Sequence, residues 1–191
     1  MPTVERGQID EIIYARLDQG GDLMLQLHEV CKQERIKTGV ILDITGAMES
    51  LHVQHFPALG YRTPEDGDNE GFDVKKLEPV FLHMEGPLEV SGHGLIGEGW
   101  APDAPPPDPR GFFFLSFQEH GDPYFHVHIV GSNANETICG HLMVGSKIIG
   151  SPDITSHFTV VIAKVSGVHL RGVWEQSTAG KISFHHEFVR D

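Results

Sequence analysis

The sequence has few basic residues for its length. Only 14 Lys and Arg stand against 27 Asp and Glu in 191 residues, which gives a formal net charge of −13. Affinity for nucleic-acid phosphates and for anionic membrane surfaces comes mostly from clustered Lys and Arg. The densest basic groups here are pairs such as Lys75-Lys76. The charge balance therefore disfavours nucleic acids and membrane surfaces as partners.

Cysteine and long apolar runs are also scarce. The two cysteines, Cys31 and Cys139, form no CxxC pair, and we expect both to be small, buried core residues. No uninterrupted apolar run approaches the length of a membrane-spanning helix, and no basic segment followed by an apolar one opens the chain. These features predict a cytoplasmic protein without a membrane partner.

The motifs of several large enzyme classes are missing as well. The sequence contains no GxSxG nucleophile motif and no P-loop. The glycine-rich stretch over residues 92–99 lacks the following helix that phosphate binding needs, so it is not a dinucleotide-binding turn. These absences argue against a serine hydrolase of that type, a P-loop nucleotidase and a dinucleotide-dependent enzyme.

Apolar periodicity predicts one helix and many strands. Residues 9–17 form a first strand, and Asp22 occupies the N-cap position of a helix over residues 22–35, in which Leu23, Leu27 and Cys31 recur on one face. Later segments rich in β-branched and aromatic residues are typical of strands. The pattern predicts an α+β fold with a mixed or antiparallel sheet. The later predicted strands cover residues 40–44, 51–56, 77–84, 87–97, 112–117, 124–130, 137–144, 158–165 and 182–189.

Two polar stretches interrupt this pattern. Residues 57–71 are polar and Gly-rich, and residues 101–111 hold five of the twelve prolines. Proline has no amide hydrogen to donate, so the second stretch cannot join a strand ladder. Strands resume in the same style on both sides, which predicts a single domain over residues 1–191.

Histidine is the compositional outlier, with 13 residues in the chain. His126-Val127-His128 falls in a predicted strand, where alternate residues face the same side. The two imidazoles would therefore project together. Histidine is the commonest transition-metal ligand, so this spacing provides half of a tetrahedral, zinc-type site.

A third histidine follows a turn-rich segment at residues 131–136. If that turn centres on Asn133-Ala134, His141 lies directly across from His126 on the next antiparallel strand. A slip of two residues places it across from His128 instead. Either register brings all three imidazoles onto one face, whereas an odd-length loop does not unless a bulge corrects it. The alternative interpretation is a set of solvated or structural histidines.

Other residues are weaker candidates. His93 lies between Gly92 and Gly94, which permit close approach by a ligand. Glu85, Glu98 and Glu119 are candidate acid or base partners on or near the neighbouring strands, and Arg110 is a candidate anion ligand. The remaining histidines are predicted to be strand or surface residues, with His28 on the solvent face of the helix; among them are His52, His55, His83, His157, His169, His185 and His186.

The order of several short motifs resembles the PPC domain family (plants and prokaryotes conserved domain). The resemblance spans about residues 8–170, and residues 57–76 and 99–111 look like insertions in it. The motifs that carry it are Gly20-Gly21-Asp22-Leu23, Thr38-Gly39-Val40, Thr45-Gly46-Ala47, Phe125-His126-Val127-His128, Gly140-His141-Leu142 and Phe158-Thr159-Val160-Val161-Ile162.

This resemblance implies an α+β fold with a bent, mostly antiparallel sheet around one main helix, assembled as a homotrimer. It also implies a fold relationship to acetolactate decarboxylase, in which an HxH pair and a downstream histidine hold the metal. Carried over, those ligands fall on His126, His128 and His141. Bacterial members of the family are often named as proposed DNA-binding proteins, but the Arg-Gly-Arg-Pro hook of the plant members is absent here.

Three hypotheses follow from the sequence. The first is a trimer that holds a divalent metal, expected to be zinc, on the three histidines and acts as a lyase or hydrolase on a small oxygenated ligand. The second is a regulator that binds DNA or DNA-associated partners. The third is a scaffold whose metal is structural only.

Overall fold

The computed structural model describes residues 2–55, 80–102, 117–150, 157–176 and 182–190. One helix and nine strands occur in these residues. In chain order they are β1 (Gln8–Arg16), α1 (Leu23–Gln33), β2 (Gly39–His55), β3 (Val80–Trp100), β4 (Pro123–Ser132), β5 (Thr137–Leu142), β6 (Lys147–Ile148), β7 (Thr159–Ser166), β8 (His169–Gln176) and β9 (Ile182–Val189).

Helix α1 begins where the sequence predicts. The side chain of Asp22 accepts a hydrogen bond of 3.0 Å from the backbone N–H of Leu25, as an N-cap residue does. A second bond of 2.6 Å, from the Gly145 N–H to the other carboxylate oxygen, joins this cap to the segment before β6. The predicted stripe is buried, with Leu23, Leu27 and Cys31 almost without exposed surface.

His28 corrects the predicted orientation of its helix face. The sequence places it toward solvent, but its side chain is buried, and its ring meets that of Phe125 edge-on at 4.8 Å between centroids. The buried face of α1 is therefore wider than the apolar stripe, because it also takes in Met24 and His28, one turn apart. This contact joins the helix to the strand that carries His126 and His128.

The sheet is mostly antiparallel and bends back on itself. Its order in the described residues is β1-β7-β2-β5-β4-β3-β8-β9, with β6 on β2 and a further pairing of β2 with β3. Strands β2, β5, β4 and β3 thus form a closed ring of neighbours. The pairing of β3 with β8 is parallel. The predicted α+β fold, a bent sheet around one main helix, is confirmed.

Long strands replace several shorter predicted ones. The segment predicted at 40–44 and the described part of the one at 51–56 belong to the single strand β2. The described part of the segment near 77–84 and the whole of 87–97 fall on β3. Both long strands contain bulges, which let a ladder continue past irregular residues. Strand β3 also extends to Trp100, one residue past the expected start of the second insertion. Strands β6 and β8 were not predicted from the sequence.

Several features predicted from the sequence lie outside the described residues. They include the insertion at 57–76, most of the insertion at 99–111, Arg110 and most of the strand predicted at 112–117. Among the described residues, no helix has the length and apolarity needed to cross a bilayer. The single-domain organisation stays a prediction.

Candidate metal centre

A tight turn sets the register of the β4–β5 hairpin. The side-chain oxygen of Asn133 accepts hydrogen bonds from the backbone N–H groups of Asn135 and Glu136, at 2.9 and 3.1 Å. Such side-chain bonds stabilise a turn locally. Ser132 then pairs with Thr137, and His128 lies directly across from His141. Of the two registers left open by the sequence, the structure has the second.

The three predicted histidines converge on one face of this hairpin. One nitrogen from each of His126, His128 and His141 lies within 4.8 Å of the corresponding nitrogens of the other two. Ring centroids are 5.2 Å apart for His126 and His128, 5.2 Å for His126 and His141, and 5.8 Å for His128 and His141. In the part of the chain that the structure describes, this is the one such group of potential metal ligands.

The spacing of the nitrogens fits a shared ion. The Nε2 atoms of His126 and His128 are 3.2 Å apart. Two Zn–N bonds of about 2.0–2.1 Å at a tetrahedral angle place their nitrogens about 3.3 Å apart. The same contact also serves as a hydrogen bond between two neutral imidazoles when no ion is bound. The donor set therefore fits a divalent transition metal without rearrangement of these two rings.

The cluster favours uncharged imidazoles. Burial lowers the pKa of His141 from 6.5 to about 4, with further lowering by His126 and His128. Burial also lowers the pKa of His126, followed by the effects of His128 and His186. The pKa of His128 is lowered first by burial and then by His93 and His55. A neutral imidazole has the free lone pair that a metal needs, so the pKa shifts and the geometry favour the same chemistry.

A pocket of about 700 Å³ opens beside the three histidines. Its described lining contains no Asp, Glu, Lys or Arg, so the side chains of that lining are neutral when the histidines are uncharged. Apolar and small residues form much of the wall. The described lining residues are Gln54, His55, Ser91, His93, Tyr124, His126, His128, Ile129, Val130, Cys139, Gly140, His141 and Phe184.

Among the weaker candidates that the structure describes, His93 lies at this site. It lies directly across from His128 on β3 and borders the pocket. The next residue, Gly94, packs tightly against β4: a Cβ at this position would lie 2.5 Å from the carbonyl oxygen of His126. Gly140 is restricted in the same way, because a Cβ built there would lie 2.7 Å from the carbonyl oxygen of Gln54. These glycines allow the strands beside the ligands to approach closely.

The candidate acid and base residues lie elsewhere. Glu85 is bound to His83 at 2.8 Å on the far part of β3. Glu98 lies near the other end of β3, across from Pro123. Glu119 stands in the turn before β4, where its backbone N–H donates to Asp122. None of the three carboxylates is among the described residues that line the pocket.

Cys139 corrects the expectation that both cysteines are buried. Cys31 is buried on α1, and burial raises the pKa of its thiol to about 12. Cys139 is exposed and borders the pocket. It lies two residues before His141 on β5, so it shares the face of the histidines rather than the core face.

A further histidine, His186, contacts His126 from β9. Its ring lies 5.3 Å from that of His126, between centroids. Its Nε2 is 2.9 Å from the hydroxyl oxygen of Tyr124, and that oxygen is 3.4 Å from Nδ1 of His126. The sequence predicts that His185 and His186 are strand or surface residues away from any site. This prediction missed the contact because β9 reaches the site only through its pairing with β8, which in turn pairs with β3.

Fold and site together define a mostly antiparallel α+β protein with a three-histidine cluster at one hairpin. The model of the Plants and Prokaryotes Conserved (PCC) domain matches residues 4–105, just over half of the chain. The chain therefore belongs to the PCC domain family. The matched residues end before the three histidines, which lie at 126, 128 and 141.

Solved structures with the same fold cover nearly the whole chain. A metal-containing protein from Archaeoglobus fulgidus has 19% sequence identity and a TM-score of 0.62, over 96% of this chain and 99% of that one. A plant- and prokaryote-conserved protein from Pyrococcus horikoshii has 16% identity and a TM-score of 0.57, over 96% and 97%. A proposed DNA-binding protein from Bacteroides thetaiotaomicron has 13% identity and a TM-score of 0.53, over 94% and 96%.

These identities are low enough that the likeness shows the fold alone. No curated protein matches the sequence at a significant level. The chemistry of the site must therefore be argued from the residues themselves.

Proposed function

We propose that His126, His128 and His141 bind one divalent transition-metal ion, expected to be Zn²⁺, at the mouth of a pocket for a small molecule. The observation that carries this proposal is the convergence of three imidazole nitrogens, with two of them 3.2 Å apart. Three imidazole ligands with a free fourth position are one of the arrangements found in catalytic zinc sites. The Archaeoglobus fulgidus neighbour is named as metal-containing, which supports the same interpretation.

The surroundings favour an open site over a closed structural one. A structural zinc site has four protein ligands, usually with cysteine among them. Here the described residues offer three ligands, and Cys139 is not one of the group whose donor atoms converge. The remaining side of the cluster faces the pocket of about 700 Å³. A ligand of the small-molecule class can therefore reach the ion from this pocket.

The reaction class proposed is lyase or hydrolase chemistry on a small oxygenated molecule. A bound Zn²⁺ supplies Lewis acidity toward oxygen atoms. The chain supplies neutral imidazoles that hold the ion, and apolar walls, such as Phe184 and Val130, that exclude water from a bound ligand. The homotrimer and the cytoplasmic location expected from the sequence stay predictions.

Titration with metal tests this proposal. Protein freed of metal by chelation is expected to bind one Co²⁺ per chain, with visible absorption bands of a site with nitrogen ligands. Azide added afterwards should change those bands, because a small anion can occupy an open position. Absence of binding would contradict the proposal. Absorption bands that do not change when azide is added would favour the closed, structural site.

Nucleic-acid binding is the second candidate function, favoured by the names of structural neighbours from Bacteroides thetaiotaomicron and Ralstonia eutropha. The net charge of −13 opposes it, because an acidic chain repels the phosphate backbone. We expect no retardation of a DNA duplex in a gel-shift experiment at low salt. Retardation that weakens as salt is added would instead support DNA binding.

A further inference from the structure

Tyr124 lies between two histidines that come from distant parts of the chain. Its hydroxyl oxygen is 2.9 Å from Nε2 of His186 and 3.4 Å from Nδ1 of His126. The Tyr124 side chain is almost fully buried. The other nitrogen of His126, Nε2, faces the cluster, at 3.2 Å from Nε2 of His128. His126 thus presents one nitrogen to the phenol and the other to the proposed ion.

The packing around Tyr124 fixes its ring. A Cβ on Gly172 would lie 2.7 to 2.9 Å from three atoms of the Tyr124 ring, so the ring rests directly on the backbone of β8. Gly172 pairs with His186 in the β8–β9 ladder. The Phe184 ring, also on β9, meets Tyr124 edge-on at 5.6 Å between centroids. The hairpin that holds the ring is therefore also the element that delivers His186.

The number of available protons determines which group donates each hydrogen bond between His186, Tyr124 and His126. A phenol has one proton to donate, and a neutral imidazole carries its proton on one nitrogen only. The shorter contact, to His186, is the better hydrogen bond. When Tyr124 donates to His186, its oxygen is left to accept a hydrogen bond from Nδ1–H of His126. The lone pair of His126 then lies on Nε2, the nitrogen that faces the cluster.

We infer that Tyr124 and His186 are positioning residues that hold His126 in the tautomer and orientation needed to ligate the metal. The inference rests on the proposed function. His186 accepts the hydrogen bond of the phenol O–H, so that Tyr124 cannot donate to Nδ1 of His126 and force the proton of that ring onto Nε2. Hydrogen bonds of this kind, from the second nitrogen of a metal-binding imidazole, raise metal affinity by about 10–100-fold.

The first variants to compare are Tyr124→Phe and His186→Ala. Each is expected to weaken Zn²⁺ binding by about 10–100-fold, measured by competition with a coloured chelator. His185→Ala is the matched control, because His185 is the neighbouring residue on the same strand and its side chain points to the opposite face of the sheet from that of His186. It should retain wild-type affinity. Wild-type affinity in both Tyr124→Phe and His186→Ala would overturn the inference.

The double variant Tyr124→Phe/His186→Ala shows whether His186 acts through Tyr124 or independently of it. Once Tyr124→Phe has removed the phenol, loss of His186 should weaken binding no further, since His186 acts only through Tyr124. If His186 instead binds the ion directly, its replacement weakens binding by the same factor in both backgrounds, which would overturn the inference. Should Tyr124→Phe fail to fold, His186→Ala, altered at an exposed strand residue, gives the decisive affinity.

The tautomer of His126 can also be observed without metal. Long-range ¹H–¹⁵N spectra of the metal-free protein should show the proton of His126 on Nδ1 in the wild type and shifted toward Nε2 in His186→Ala. A His126 tautomer that does not respond to His186→Ala would overturn the inference. A wild-type protein that binds no metal would refute the proposed function, while this spectrum still tests the hydrogen-bonded chain by itself.

Discussion

The His141→Ala variant is expected to bind Zn²⁺ on the order of a thousandfold more weakly than the wild-type protein. Structural zinc sites with four ligands bind with roughly 10–16 kcal/mol, or roughly 2.5–4 kcal/mol for each ligand. Each 1.4 kcal/mol is about a factor of ten, so loss of one ligand removes roughly two to three powers of ten. His141 is the proposed ligand on β5, and its removal leaves only the proposed pair on β4. Chelator competition measures the change.

His93→Ala is the matched control for this experiment. His93 lies across from His128 and borders the same pocket, but it is not one of the three histidines whose nitrogens converge. Its replacement should leave metal affinity close to that of the wild type. Equal losses in His93→Ala and His141→Ala would show that the ligand set is assigned wrongly.

The metal-free protein is expected to lose roughly 2–3 kcal/mol of its free energy of unfolding through His141 alone as the pH falls from 6.5 to 4.5. Burial lowers the folded-state pKa of His141 to about 4, while the unfolded chain keeps the ordinary value of 6.5. Between these values the unfolded chain binds more protons than the folded chain. Protons therefore favour unfolding, and stability rises again with pH until about 6.5. Urea denaturation at several pH values measures this.

The comparison variant for the pH experiment is His141→Gln, which has no group that titrates in this window. It should lose less stability than the wild type between pH 6.5 and 4.5. Some loss remains in the variant, because the pKa values of His126, His128 and His186 are lowered too. Parallel curves for the two proteins would mean that His141 is not the group responsible.

The β4–β5 hairpin shows how far the sequence determines the site. Alternation along the strand puts His126 and His128 on one face, and an even register brings His141 to the same face. The sequence could not choose between two even registers, because residues that favour turns recur along the segment from 131 to 136. The choice depends on the turn around Asn133, whose side chain accepts two backbone hydrogen bonds.

His28 and Cys139 show where local patterns are insufficient. His28 was predicted to face solvent because it is polar. Its ring is instead buried edge-on against that of Phe125, as a core residue would be. Cys139 was assigned to the core because the residue type is usually buried. Its parity with His141 predicts the pocket face instead, and the structure has it there. In both cases the position relative to a neighbour outweighs the preference of the residue type.

His186 could not be placed from the sequence. It lies 60 residues after His126 in the chain, and it reaches the site through two successive pairings, β9 with β8 and β8 with β3. The second of these is parallel, so it is not set by a tight turn between adjacent strands. The sequence also does not reveal that the Tyr124 ring packs directly against Gly172, which has no side chain to prevent this approach.

The three histidines of the hairpin fall within 16 consecutive residues, from 126 to 141. A segment this short can fold back on itself within microseconds, long before the distant pairings of the sheet are complete. If the proposed site binds an ion, the same three imidazoles can therefore hold it while most of the chain is still unfolded. Binding to the unfolded chain subtracts from the stabilisation that a ligand gives to the native protein. Metal is thus expected to protect this protein against denaturation by less than its affinity for the folded state implies.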